Sequence, residues 1–169
     1  MVHFPLHPET PPQGQTLAEM FGPSKNIEEM NKNMQNLMKQ EGLPYEDRTM
    51  TYNSRLAQEL GTWADTQKNG YIIHEKIYQA YFVENKNIGS SEVLLDIVYH
   101  LKLNESEAKK VLIERTFKEA VDRDWSKARQ NGVTGVPTYM AASTAVVGAQ
   151  PYEALVQLVE HAMGQSNKS

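Results

Sequence analysis

The sequence contains no cysteine. That absence excludes disulfide bonds, thiolate metal sites and any cysteine nucleophile supplied by this chain. Long apolar runs are missing too: nothing reaches the roughly 18 residues of a membrane span. The opening stretch MVHFPLHPETPPQG has neither a basic region nor the apolar run of a secretory leader. A cytoplasmic location with no membrane partner is therefore expected. Blocks of one charge are also absent. The formal net charge is -4 and acids are interspersed with bases, so nucleic acid is not an expected partner. No glycine-rich phosphate loop of the Walker or dinucleotide type occurs. The 169 residues suffice for one core of ordinary size, or for a small core with an inserted subdomain.

What the chain does have is helical periodicity. Val2–Leu6 reads as strand-like, and HPETPPQGQ (7–15), with three prolines and a glycine, as the loop leaving it. From Asn26 the period becomes helical. Ile27, Met30, Met34, Leu37 and Met38 form one stripe, Glu29 completes a capping box and Gly42 closes the helix. These methionines are expected to fill core gaps, a methionine-lined groove being the lesser alternative. A second helix starts at Asn53 and carries Leu56, Leu60, Trp63 and Ala64, stopping at Asn69-Gly70. A third spans 72–84 with Ile73, Ile77, Ala80 and Tyr81 inward. A fourth opens at Ser90 or Ser91, a fifth at the capping box Asn104–Glu107, and a sixth ends at Gly132. TYMAA and TAVVGAQ suggest a hairpin around Ser143, although its turn lacks the favoured Asn-Gly or Gly-X. Pro151 suits the first turn of a last helix, with Leu155, Val156, Val159 and Met163 buried.

Few residues suggest chemistry. In GVTGVPTYM (132–140), Pro137 can neither donate to a strand ladder nor sit inside a helix, so the segment is a turn or a strand entrance. Only about 5–6% of X-Pro bonds are cis, which makes trans the default there. His3 and His7 are separated by a proline and followed by another, which rules out a helical ligand pair. His74, His100 and His161 fall on separate helices among solvent-facing positions. Glu9 with Asp47, or Glu105 with Glu107, could be read as acid pairs, but helix-start acids already complement the dipole. Trp63 and Trp125 read as core or interdomain contacts, Asn53 as an N-cap and Gln150 as a cap before Pro151. Neither a metal nor a cofactor is expected.

Five stretches taken in order say more: FPLHPETPPQG (4–14), NSRLAQELGTWA (53–64), KIYQAYF (76–82), ARQNGVTGVPTY (128–139) and VVGAQPYEALVQLV (146–159). Together they resemble the DsbA-like branch of the thioredoxin superfamily, and within it the FrnE-like dithiol-disulfide oxidoreductases and isomerases. The resemblance implies an α/β fold, thioredoxin-like of the DsbA type, with a large all-helical insertion. It assigns 1–16 and 132–169 to a partial thioredoxin-like unit and 17–131 to the insertion and connecting helix. It also implies that Val136-Pro137 is cis, and that Gly135, Val136, Pro137 and Thr138 form the substrate-binding loop for an extended peptide or a small thiol, the backbone of Val136 being free for strand addition.

The family carries its Cys-x-x-C on a helix upstream of the strand that ends in HPETP, and this sequence has no counterpart to it. The expectation is therefore an N-terminally truncated member without catalytic residues, inactive as given. Open strand edges would favour a homodimer or higher oligomer, with Val2–Leu6 or the 138–149 hairpin at the contact. Two alternatives stay open. One is a relative of 2-hydroxychromene-2-carboxylate isomerase and the kappa-class glutathione transferases, which use a serine near the N-terminus and show G-x-D-R where this chain has VVGAQP. The other is a non-catalytic peptide-binding module.

Overall fold

The computed structural model describes residues 1–166. The chain forms two compact units, His7–Asp122 and a second made of Met1–Leu6 with the chain from Arg123 onward.

The first unit holds α1 (Leu17–Phe21), α2 (Ile27–Gln40), α3 (Arg55–Ala64), α4 (Ile72–Phe82), α5 (Ser91–His100), α6 (Glu105–Glu114) and the start of α7 (Lys118–Gln130). Its core lies between α3, α4, α5 and α6. Leu60, Ile73, Leu94 and Val98 are fully buried there, with Trp63, Ile77, Val111 and Leu112 around them. These are the positions that helical period assigns to the inner faces. The caps follow the residue types: the Thr16, Asn26 and Asn104 side chains accept from the backbone N–H three residues on. Asn53 is not the cap of α3, whose N-cap is Ser54. Instead its Oδ1 accepts from Arg55 N at 2.9 Å while its Nδ2 donates to the carbonyls of Pro8 and Thr10. The residue that looks like a cap thus ties the proline loop to the helix start.

Three expectations need correction here. The insertion 17–131 is not all-helical, because β2 (Met50–Thr51) lies inside it and pairs antiparallel with β1 (Gln15–Thr16). The segment before β2 has no helical period and is held extended by Asn31, whose side chain donates to Arg48 O and accepts from Arg48 N. Second, Val2–Leu6 forms no strand. No strand among the described residues lies beside it; Leu6 N–H turns back to Phe4 O and His3 N–H reaches the Asp124 carboxylate. Third, the α2 methionines are not core, Met38 being half-buried and the other two exposed. Met34 and Leu37 are 42% and 54% exposed and Met30 is exposed too, while the buried residue of this helix is Asn31.

The second unit contains the rest of α7, then β3 (Thr138–Ala141), β4 (Thr144–Val147) and α8 (Tyr152–Ser166). Gly132, at φ +67°, ends α7. Gly132 N–H bonds to Arg129 O and Val133 N–H to Ala128 O, the double closure that a left-handed residue permits. β3 and β4 form the expected hairpin, pairing Thr138 with Val147 and Ala141 with Thr144. Its turn uses Ala142 at φ +52° in place of a glycine. α8 packs on both strands. It buries Leu158, whereas Val159 and Met163 are exposed, so its inner face is rotated from the one expected.

Candidate functional site

The loop between α7 and β3 gathers the four residues the sequence singled out. The Val136-Pro137 peptide is cis. Thr138 Oγ1 donates to Gly135 O at 2.6 Å, closing the turn, and Pro137 O accepts from Gly148 N at 2.8 Å, tying the loop to the end of β4. Gly135 does not require glycine: its φ is not left-handed, and a Cβ there would meet only Val147 Cγ1, at 3.8 Å. Val136 projects to solvent, 48% exposed.

The tie from Gly148 sets the phase of the strand. Because Pro137 O faces β4, alternation directs the backbone groups of Tyr139 and Ala141 to β4 as well. Those of Thr138 and Met140 therefore point to the opposite edge of β3, which pairs with no strand among the described residues. The same alternation sorts the side chains. Thr138, Met140, Ala145 and Val147 share one face. Met140, Ala145 and Val147 are exposed on it, while Ala141, Thr144 and Val146 on the other face are half-buried. One apolar face and one open backbone edge thus lie next to the exposed Val136. Between Gly132 and Met140 the tyrosine phenol is the only ionisable side chain. This arrangement can hold an extended chain, but it contains no thiol and no acid–base pair.

A second polar cluster lies in the helical unit, and sequence reasoning missed it. Glu59 on α3 has a side chain of 0% exposure. Its carboxylate accepts from Arg55 Nε at 2.6 Å and from Arg115 Nε and Nη2 at 2.7 Å each. Arg55 Nη2 also contacts Asp122 and donates to Lys118 O. Burial pushes the Glu59 carboxyl up, but the two guanidiniums outweigh it and hold the group below the ordinary glutamate value. Arg115 is held above its ordinary value, chiefly by its hydrogen bond to Glu59. The available signal was position: Glu59 sits three after Leu56 and four before Trp63, on the apolar stripe. The cluster is saturated with partners and fixes the α3–α6 packing.

The histidines stay apart. His74, half-buried rather than on the surface, bonds Asp65 through Nε2 at 2.8 Å, and His7 lies 3.4 Å from Glu9. Among the described residues no three His, Asp or Glu side chains come together as a metal site would need. Gln150 does not cap α8 but donates to Val147 O. No helix among the described residues is long and apolar enough to cross a membrane.

Comparison with known proteins agrees with this geometry. The family model described as DSBA-like thioredoxin domain matches residues 1–160. An uncharacterized Bacillus subtilis protein, YwbO, is 27% identical over 95 residues, 56% of this chain and 48% of that protein. The match thus spans about half the length of the curated relative. Among solved structures, the probable DsbA oxidoreductase of Streptomyces coelicolor is similar, with a TM-score of 0.81 at 23% identity over 93% of this chain and 71% of that one. A 2-hydroxychromene-2-carboxylate isomerase superposes with a TM-score of 0.63 at 15% identity, over 89% of this chain and 75% of that one. At these identities both likenesses concern the fold alone.

Proposed function

Because this chain belongs to the family of DsbA-like thioredoxin domains, we propose that it is a FrnE-like oxidoreductase homologue that binds an extended chain at its proline loop and does not itself exchange disulfides. The carrying observation is the complete absence of cysteine, since the attacking species in thiol–disulfide exchange is a thiolate. Whatever thiols take part lie outside these 169 residues. The open edge of β3 at Thr138 and Met140 supplies main-chain partners for strand addition, and Val136 and Met140 supply apolar contacts for alternate side chains of the incoming strand.

Two measurements test this reading. Insulin reduction and dithiol oxidation by the purified chain are expected to equal the buffer blank, and turnover above it would overturn the proposal. An extended apolar peptide titrated onto the chain is expected to bind, and N-methylation of every second residue to weaken it about tenfold by removing two or three hydrogen bonds. Equal affinity of methylated and unmethylated peptides would exclude strand addition.

A further inference from the structure

The exposed stripe of α2 points to a second interaction surface, independent of the proline loop. Ile27, Met30, Met34 and Leu37 advance by three, four and three residues, the spacing of a seam between two helices. No helix or strand among the described residues packs extensively on α2. It is held to its own unit along one flank only, by Asn31 to Arg48 and Tyr45 and by Gln35 to Asp47. Met30, Met34 and Leu37 remain exposed on the stripe.

We propose that this stripe is where two copies of the chain pair, antiparallel, about a two-fold axis that crosses the seam between Met30 and Met34. With that axis every layer is apolar: Ile27 lies opposite the second copy's Leu37, and Met30 opposite the second copy's Met34. The charge pattern permits self-pairing. Each charged side chain of the helix, Glu28, Glu29, Lys32 and Lys39, stands at a seam-distant position, and the open flank carries the neutral Asn33 and Gln40. Like charges therefore do not meet across the seam. The antiparallel arrangement also sets the acidic first turn of each helix, with Glu28 and Glu29, alongside the other's last turn, with Lys39. A stripe one helix wide suits a helix as its cover, and methionine adapts to an identical neighbour.

Sedimentation velocity of the full chain at micromolar concentrations is expected to show a reversible dimer. Met34→Glu, which sets a carboxylate against the facing methionine, is expected to weaken association by about tenfold or more, with helix content by circular dichroism unchanged. Met30→Lys combined with Met34→Glu is expected to restore association, because each new cation then faces the second copy's new anion. A monomer throughout the concentration range, a dimer indifferent to Met34→Glu, or a double variant no better than the single one would each overturn the proposal. A dimer indifferent to Met34→Glu would move the contact to the β3–β4 hairpin.

Discussion

Glu59 is the residue on which the helical unit depends most. Removing it leaves Arg55 with Asp122 alone and Arg115 partly exposed without a carboxylate, which costs about 3 kcal/mol, the low end of the range for breaking a buried ion pair. Glu59→Ala is thus expected to lower the unfolding free energy by that amount, measured by urea unfolding. The pH dependence follows from the direction of the shift. The folded-state carboxyl is depressed below its unfolded value, so its contribution is complete above the unfolded glutamate pKa and is lost as pH falls through the folded one. The wild type is expected to lose stability on acidification more steeply than Glu59→Gln; equal slopes would show that the cluster does not govern acid unfolding. The sequence hid this residue for a physical reason. Periodicity marks position 59 as inward, but a buried carboxylate is tolerable only with its cations, and Arg115 arrives from 56 residues away.

At the level of elements, period and capping residues were legible, while the identity of each buried face was not. The starts of α5 and α6, at Ser90 and Asn104, and the Gly132 stop were legible, although Ser90 makes no side-chain cap bond. For α2 the same reasoning failed, because an amphipathic pattern states that one side seeks cover without stating what provides it. The attachment of α2 is polar instead: Asn31 Nδ2 donates to Arg48 O at 2.8 Å, and its Oδ1 accepts from Tyr45 OH and Arg48 N. Asn31→Ala leaves those groups short of partners and is expected to cost about 1–3 kcal/mol locally. The loss is expected to show as faster amide exchange in α2 and around Arg48, with the exchange of α3–α6 unchanged. Loss of protection throughout the helical unit would mean that α2 is integral to that core. In the other unit, the loop Gly135–Thr138 was legible through Pro137 and an open edge was expected at the hairpin, but which backbone groups of β3 face that edge was not legible. It depends on the phase set by the Gly148 tie, which no local pattern encodes.

Across the whole molecule, burial is uneven. The fully buried apolar side chains concentrate between α3 and α6, whereas the unit with the hairpin and α8 has Ala128 and Leu158 as its buried apolar residues among those described. Local stability tracks such burial. Native-state exchange is therefore expected to give the slowest amides in α3–α6 and distinctly faster ones in β3, β4 and α8, and uniform protection would contradict the division into two units. The fold family was legible because five short matches kept their order along the chain. The strand assignments at either end of the 7–15 loop were not, because a strand exists only where another lies beside it.

The triad of Arg55, Glu59 and Arg115 also constrains how this sequence can drift. Replacing the three by apolar residues can be neutral or favourable once complete, yet losing Glu59 first leaves Arg115 without its carboxylate, and losing either arginine first leaves the buried Glu59 with a single cation. The three positions are therefore locked together. A lineage leaving this arrangement has to cross a less stable intermediate or change two positions at once, so the trio is expected to persist or vanish as a set.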